Sequence, residues 1–151
     1  MNKLKHVEDQ LKEFSTREDY AFFGQTGLYL QTASLGKGNP ILFSSPKTLD
    51  VLTEETAPEK FGLSQFRAEI LDNAEVIHYE GQNYRVAETE YLCLDGHLRK
   101  LPIADITTFL KFGGQVSPER IRSMLKSINR AEDFEQYFLP MFYDFMPGWK
   151  H

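Results

Sequence analysis

A single cysteine, Cys93, occurs in the 151 residues, so no internal disulfide can form and no thiolate zinc cluster can be built. Long apolar runs are also missing, and none approaches the roughly 20 residues needed to span a bilayer. The first stretch, "MNKLKHVEDQLKEF", is charged throughout and lacks the apolar centre of a signal peptide. A soluble, cytoplasmic protein with no membrane partner is therefore expected. Basic charge is in deficit, with 17 Lys and Arg against 22 Asp and Glu and a net charge of −5. That balance argues against general nucleic-acid binding, while leaving room for a local phosphate contact. Histidine is scarce, and no His-His or His-Glu pair has metal-binding spacing, so His78 and His97 receive no role. Ser44-Ser45 lacks the glycine flanks of a hydrolase nucleophile and reads as a turn. Internal repeats and low-complexity segments are absent.

Rings, in contrast, are abundant: twelve Phe and seven Tyr, within a hydrophobic fraction of 41%. A chain of this length and composition can bury a real core, which excludes disorder and suits one domain over residues 1–151. Leu4, Val7, Leu11 and Phe14 recur at helical spacing, which predicts an amphipathic helix. Residues 20–23 read as a short aromatic strand ended by Gly24, and residues 26–32 as a helix. "SLGKGNP" is a loop by its glycines, asparagine and proline. "ILF" (41–43), "TLDVLT" (48–53), "FRAEIL" (66–71), "EVIHY" (75–79) and "NYRVA" (83–87) read as strands, the last two forming a hairpin through "EGQ".

Helical spacing takes over from Glu88. "TEYLCLDGHL" is one helix, and "IADITTFLKF" a second, capped by Gly113-Gly114. "SPERIRSMLKSI" is a third, with Ser117 as N-cap and Pro118 at the first position. The tail "YFLPMFYDFMPGW" predicts a short helix broken at Pro140. The class is α+β: a small mixed β-sheet over residues 20–87 flanked by helices, then a helical part over residues 88–139.

Two features stand out as candidate sites. The first is Gly24-Gln25-Thr26-Gly27, between a strand and a helix. Two glycines allow close backbone approach, and helix-end amides with the Thr26 hydroxyl can bind phosphate. The plainer account is a turn with Thr26 as helix cap. Lys37 and Lys47 flank the following loop and could neutralise phosphate. The second is the aromatic and Met-rich tail, which either docks on the core or meets a protein partner or a second copy.

The order of strand, Gly24-Gln25, helix, and strand with Asp50 resembles the nucleotidyltransferase superfamily, especially its small bacterial branch with toxin–antitoxin enzymes. "FFGQTGLYL" is similar to the family's first motif, and "YRVAETEYLCLDGHLRKLPIADITTFL" to its later helical segment, with Asp105 as the counterpart of a later aspartate. The resemblance implies Mg²⁺ held by carboxylates, with Asp50 as metal ligand and Glu69 as the third carboxylate. Together these two are the implied catalytic residues. Thr48 stands where the family's first aspartate belongs, which removes a full charge from a metal site that clamps phosphate oxygens. The expectation is thus an eroded site: Gly24, Gln25, Thr26, Gly27 and Lys47 hold nucleotide phosphate modestly, while transfer is weak or absent. The alternative is a non-enzymatic interaction module working through the tail.

Overall fold

A computed structural model describes residues 8–35, 49–101, 103–111, 113–146 and 148. Helix α1 covers Glu8–Glu13, the portion of the expected first helix that falls among them. Strand β1 is only Ala21–Phe22, and α2 follows as Gly24–Ala33. Strand β2 is Val51–Leu52, and α3 is Arg67–Asp72. Strands β3 (Glu75–Tyr79) and β4 (Gln82–Val86) precede α4 (Thr89–Leu98), α5 (Ile103–Lys111), α6 (Pro118–Ser127) and α7 (Leu139–Phe145).

The sheet runs in the order β2-β1-β4-β3 and is mixed, as expected. β1 pairs antiparallel with β2 and parallel with β4, and β3 pairs antiparallel with β4. The β3–β4 turn places Glu80 and Gly81 at positive φ, the two-residue turn whose twist suits a hairpin. Two backbone bonds extend the hold on β1 past its last residue. Ala87 N–H donates to Phe22 O and Phe23 N–H donates to Asp50 O, each at 2.9 Å. The end of β1 is therefore fixed on both sides, and Gly24 begins α2 from a rigid edge.

Helix α2 lies close on β1 because Gly27 has no side chain. A Cβ there would meet Phe22 O and Leu92 Cδ2 at 2.8 Å. Under the sheet, Phe14, Tyr20, Phe22 and Tyr84 form a chain of tilted rings with centroids 5.1–6.0 Å apart. Such edge contacts add to the area they bury. The Tyr20 hydroxyl is not orphaned, since it accepts the Arg85 N–H at 3.0 Å.

Three expectations need correction. "FRAEIL" is not a strand: a 3₁₀ turn at Ser64–Phe66 leads into α3, which buries Ile70 and Leu71 on one face. An apolar pair at adjacent positions serves a helical stripe as well as a short buried strand, and packing decided for the helix. Thr26 is not the cap of α2, which begins two residues earlier with Phe23 at the cap position. The tail is not broken at Pro140. A π-helical turn, Phe134–Phe138, runs directly into α7, and Pro140 falls in its first turn, where a missing N–H costs little.

Other expectations hold. The α4 boundaries agree with the sequence, and Ser117 Oγ accepts the Arg120 N–H at the start of α6. Gly113, at φ 94°, closes α5. Cys93 is fully buried. Residues 41–43, Thr48, Lys37 and Lys47 lie outside the described residues, as does the Asp105 side chain. Among the described residues no helix is long and apolar enough to cross a membrane.

Candidate functional site

The glycine turn and Asp50 come together. Asp50 precedes β2, the edge strand beside β1, and its N–H donates to Thr26 Oγ1 at 3.1 Å. With the Phe23 bond described above, this fixes the Asp50 backbone against the first turn of α2. Its carboxylate then reaches over Gly24, where Oδ2 accepts the Gln25 N–H at 3.0 Å. Gln25 is the second residue of α2, so the helix receives its N-terminal anion from the residue just before β2. The first turn of α2 has no acidic residue of its own. A carboxylate there both satisfies an end amide and complements the helix dipole.

Gly24 is required in this arrangement for two independent reasons. Its φ is +57°, and a Cβ would fall 2.5 Å from Asp50 Oδ2 and 2.8 Å from Arg99 Nη2. Both charged ends thus converge on the space above its Cα.

Arg99 links this turn to a second acid. It caps the C-terminus of α4, donates through Nε and Nη2 to Asp95 one turn earlier, and lies over the Phe23 ring with 5.0 Å to the centroid. Asp95 is buried, and its Oδ1 also accepts the Gly62 N–H at 2.6 Å. Burial pushes the Asp95 carboxyl above its ordinary 3.8, against the pull of Arg99 and the Gly62 N–H. Asp50 moves the same way. Burial raises it, Arg99 and the Gln25 N–H draw it down, and the nearby Asp95 charge raises it again. Two acids and one guanidinium therefore share the turn, so an arriving phosphate meets a net negative charge that weakens its binding.

Glu69 does not join them. It is exposed on α3, and its charge is felt by Tyr91 rather than by Asp50. Gly27 sits deeper, with its N–H spent on Phe23 O, so its role is to seat α2 on the sheet. Asp95 and Arg99 do have a sequence signal, since an acid four residues before a base in "DGHLR" is a readable helical ion pair.

The donors at this turn do not make a Mg²⁺ set. Asp95 is taken up by Arg99 and an amide, Asp50 shares Oδ2 with Gln25, and Mg²⁺ requires near-octahedral oxygen ligation. Among the described residues no group of three or more His, Cys, Asp or Glu could hold a metal ion. Compared with protein-family models, curated proteins and solved structures, the chain gives no match.

Proposed function

We propose that the chain is a cytoplasmic nucleotidyltransferase-like protein that binds nucleotide phosphate modestly at the Gly24–Gly27 turn and transfers nucleotides weakly or not at all. The observation that carries this reading is the Asp50 carboxylate, seated over Gly24 on the Gln25 amide. A lone glycine turn needs no acid from a distant segment of the chain. A carboxylate facing a glycine-opened helix is the juxtaposition the resemblance implies.

The same contact explains why binding is modest. An incoming phosphate competes with Asp50 for the Gln25 N–H and meets its charge at close range. At about 5 Å in a surface environment, that repulsion is of order 1–3 kcal/mol. Transfer is weaker still, because its transition state needs metal ions on convergent carboxylates, and no such set occurs among the described residues. No step through Mg²⁺ is derived.

Titration with ATP and GTP, with and without Mg²⁺, tests this. Millimolar binding is expected, and Asp50→Asn tightens it about tenfold by removing the repelling charge. Robust transfer by the natural protein, lost in Asp50→Ala, overturns the claim of weak catalysis. No binding at millimolar nucleotide overturns the phosphate site.

A second reading is a non-enzymatic interaction module, and the tail favours it. Phe134, Phe138 and Phe142 are buried, while Tyr137 and Tyr143 stand 53% and 50% exposed. Exposed rings beside a firmly packed helix suit a protein partner or a second copy. Sedimentation of the natural chain beside Tyr143→Ser separates self-association from a monomer.

A further inference from the structure

A cavity of about 450 Å³ lies between the end of α4, α5 and the C-terminal helical segment, outside the Gly24 turn. That volume is within the range of small-molecule sites. Leu98, Leu101, Ile106 and Met141 give it apolar walls, and the rings of Tyr137 and Phe138 close one side. Both rings belong to the π-helical turn, an irregularity found often where a helix is shaped around a function. They pack on His97, with centroids at 4.9 and 5.0 Å.

Charge at the rim is arranged unequally. His97 Nε2 and Arg130 Nε both meet Asp133 Oδ2, at 2.9 and 2.8 Å, so both of these rim groups are held by one acid. Lys100 is exposed at the same rim and has no carboxylate partner among the described residues. Its backbone is at φ 57°. The Leu101 N–H bonds Gly96 O at 2.8 Å and the Lys100 N–H bonds His97 O at 3.2 Å, a helix ending whose left-handed position is normally glycine. These bonds also close carbonyls at the end of α4 that would otherwise oppose an anion. A lysine, one of the residues lining the cavity, is held in a conformation unfavourable to any residue with a Cβ.

The geometry points to a binding site for a small organic acid with a flat apolar body, its rings in the cavity and its carboxylate on Lys100. This site does not depend on nucleotide binding, since Gln25 and Asp50 take no part in it. Its wall, formed by Gly96, Leu101 and Ile106, faces the Gly24 turn across a gap of only about 10 Å³.

The test is calorimetric titration of the full chain with 2-naphthoate, 2-naphthalenemethanol and 2-naphthalenemethylamine, with methyl NMR shifts of Met141 and Leu101 locating the contact. Naphthoate is expected to bind once per chain below 1 mM, at least tenfold tighter than the alcohol, with the amine weakest. Lys100→Met should lose that tenfold preference. Lys100→Gly should lose it too while raising the melting midpoint by roughly 2–4 °C, because glycine relieves the left-handed strain. That opposite movement keeps the test valid where a cavity-filling Met141→Trp fails to fold. Equal binding of acid and alcohol, or full retention of the preference in Lys100→Gly, overturns the proposal. So does an absence of naphthoate binding at 1 mM.

Discussion

Replacing Gly24 with alanine loads two separable costs onto one carbon atom. The first is conformational: φ of +57° puts a Cβ in the left-handed region, at about 1–2 kcal/mol for an L-residue. The second is steric. The new Cβ falls 2.5 Å from Asp50 Oδ2 and 2.8 Å from Arg99 Nη2, distances that force movement. Arg99 is long and can swing away. Asp50 is short and backbone-clamped, so its retreat breaks the bond to the Gln25 N–H. A charged hydrogen bond contributes about 1.5–3 kcal/mol, and the half-buried setting favours the lower figure. The sum is about 2–4 kcal/mol, or roughly 5–15 °C in melting midpoint for a chain of this size. Urea unfolding of Gly24→Ala, Asp50→Ala and the double variant separates the terms. With the aspartate gone, Gly24→Ala should cost only the conformational part, leaving a coupling of about 1–2 kcal/mol. Equal cost in both backgrounds would show that Asp50 does not hold the turn. A neutral Gly24→Ala would refute the left-handed backbone as well.

Asp50 and Asp95 have folded-state pKa values above the ordinary 3.8, so above that pH the native state binds more protons than the unfolded chain. Stability from these two groups therefore falls as pH rises through their raised values. Asp50→Asn should gain on the natural protein as pH rises above the ordinary carboxylate range in urea unfolding, and a relative loss over that rise would contradict the assignment. Cys93 is buried and its thiol is pushed up to about 12 by burial and the Glu90 charge, so Ellman's reagent should label it only slowly without denaturant. Rapid stoichiometric labelling would show that α4 is not packed as described. Arg120 donates to Glu88 and to buried Glu90, whose Oε2 also accepts the Ser117 N–H. Arg120→Met should cost about 1–2 kcal/mol, less than a fully buried pair because Arg120 is part-exposed. A further Glu90→Gln should recover part of that loss in thermal unfolding.

Much of the helical half was legible because its signals are local. Ser117 and Pro118 start α6, Gly113 closes α5, and the α4 boundaries follow from where apolar spacing changes; each depends on hydrogen bonds within a few residues. The β3–β4 hairpin was legible for the same reason, since Glu80-Gly81 sets the turn. No local rule places Asp50 beside Gly24, because the two meet through the pairing of β1 with β2. Only the tertiary structure decided the rest. Glu69 went to an exposed helix because Ile70 and Leu71 needed burial, and an adjacent apolar pair does not say whether it belongs to a helix or a strand. Pro140 failed to break the tail because a π-helical turn before it shifts the proline into the start of α7. Asp95 and Arg99 joined the glycine turn because α4 packs on α2, a contact between segments about 70 residues apart. Sequence spacing reports what a residue can bond within its own turn of chain. Which distant charge arrives above a glycine depends on how whole faces pack.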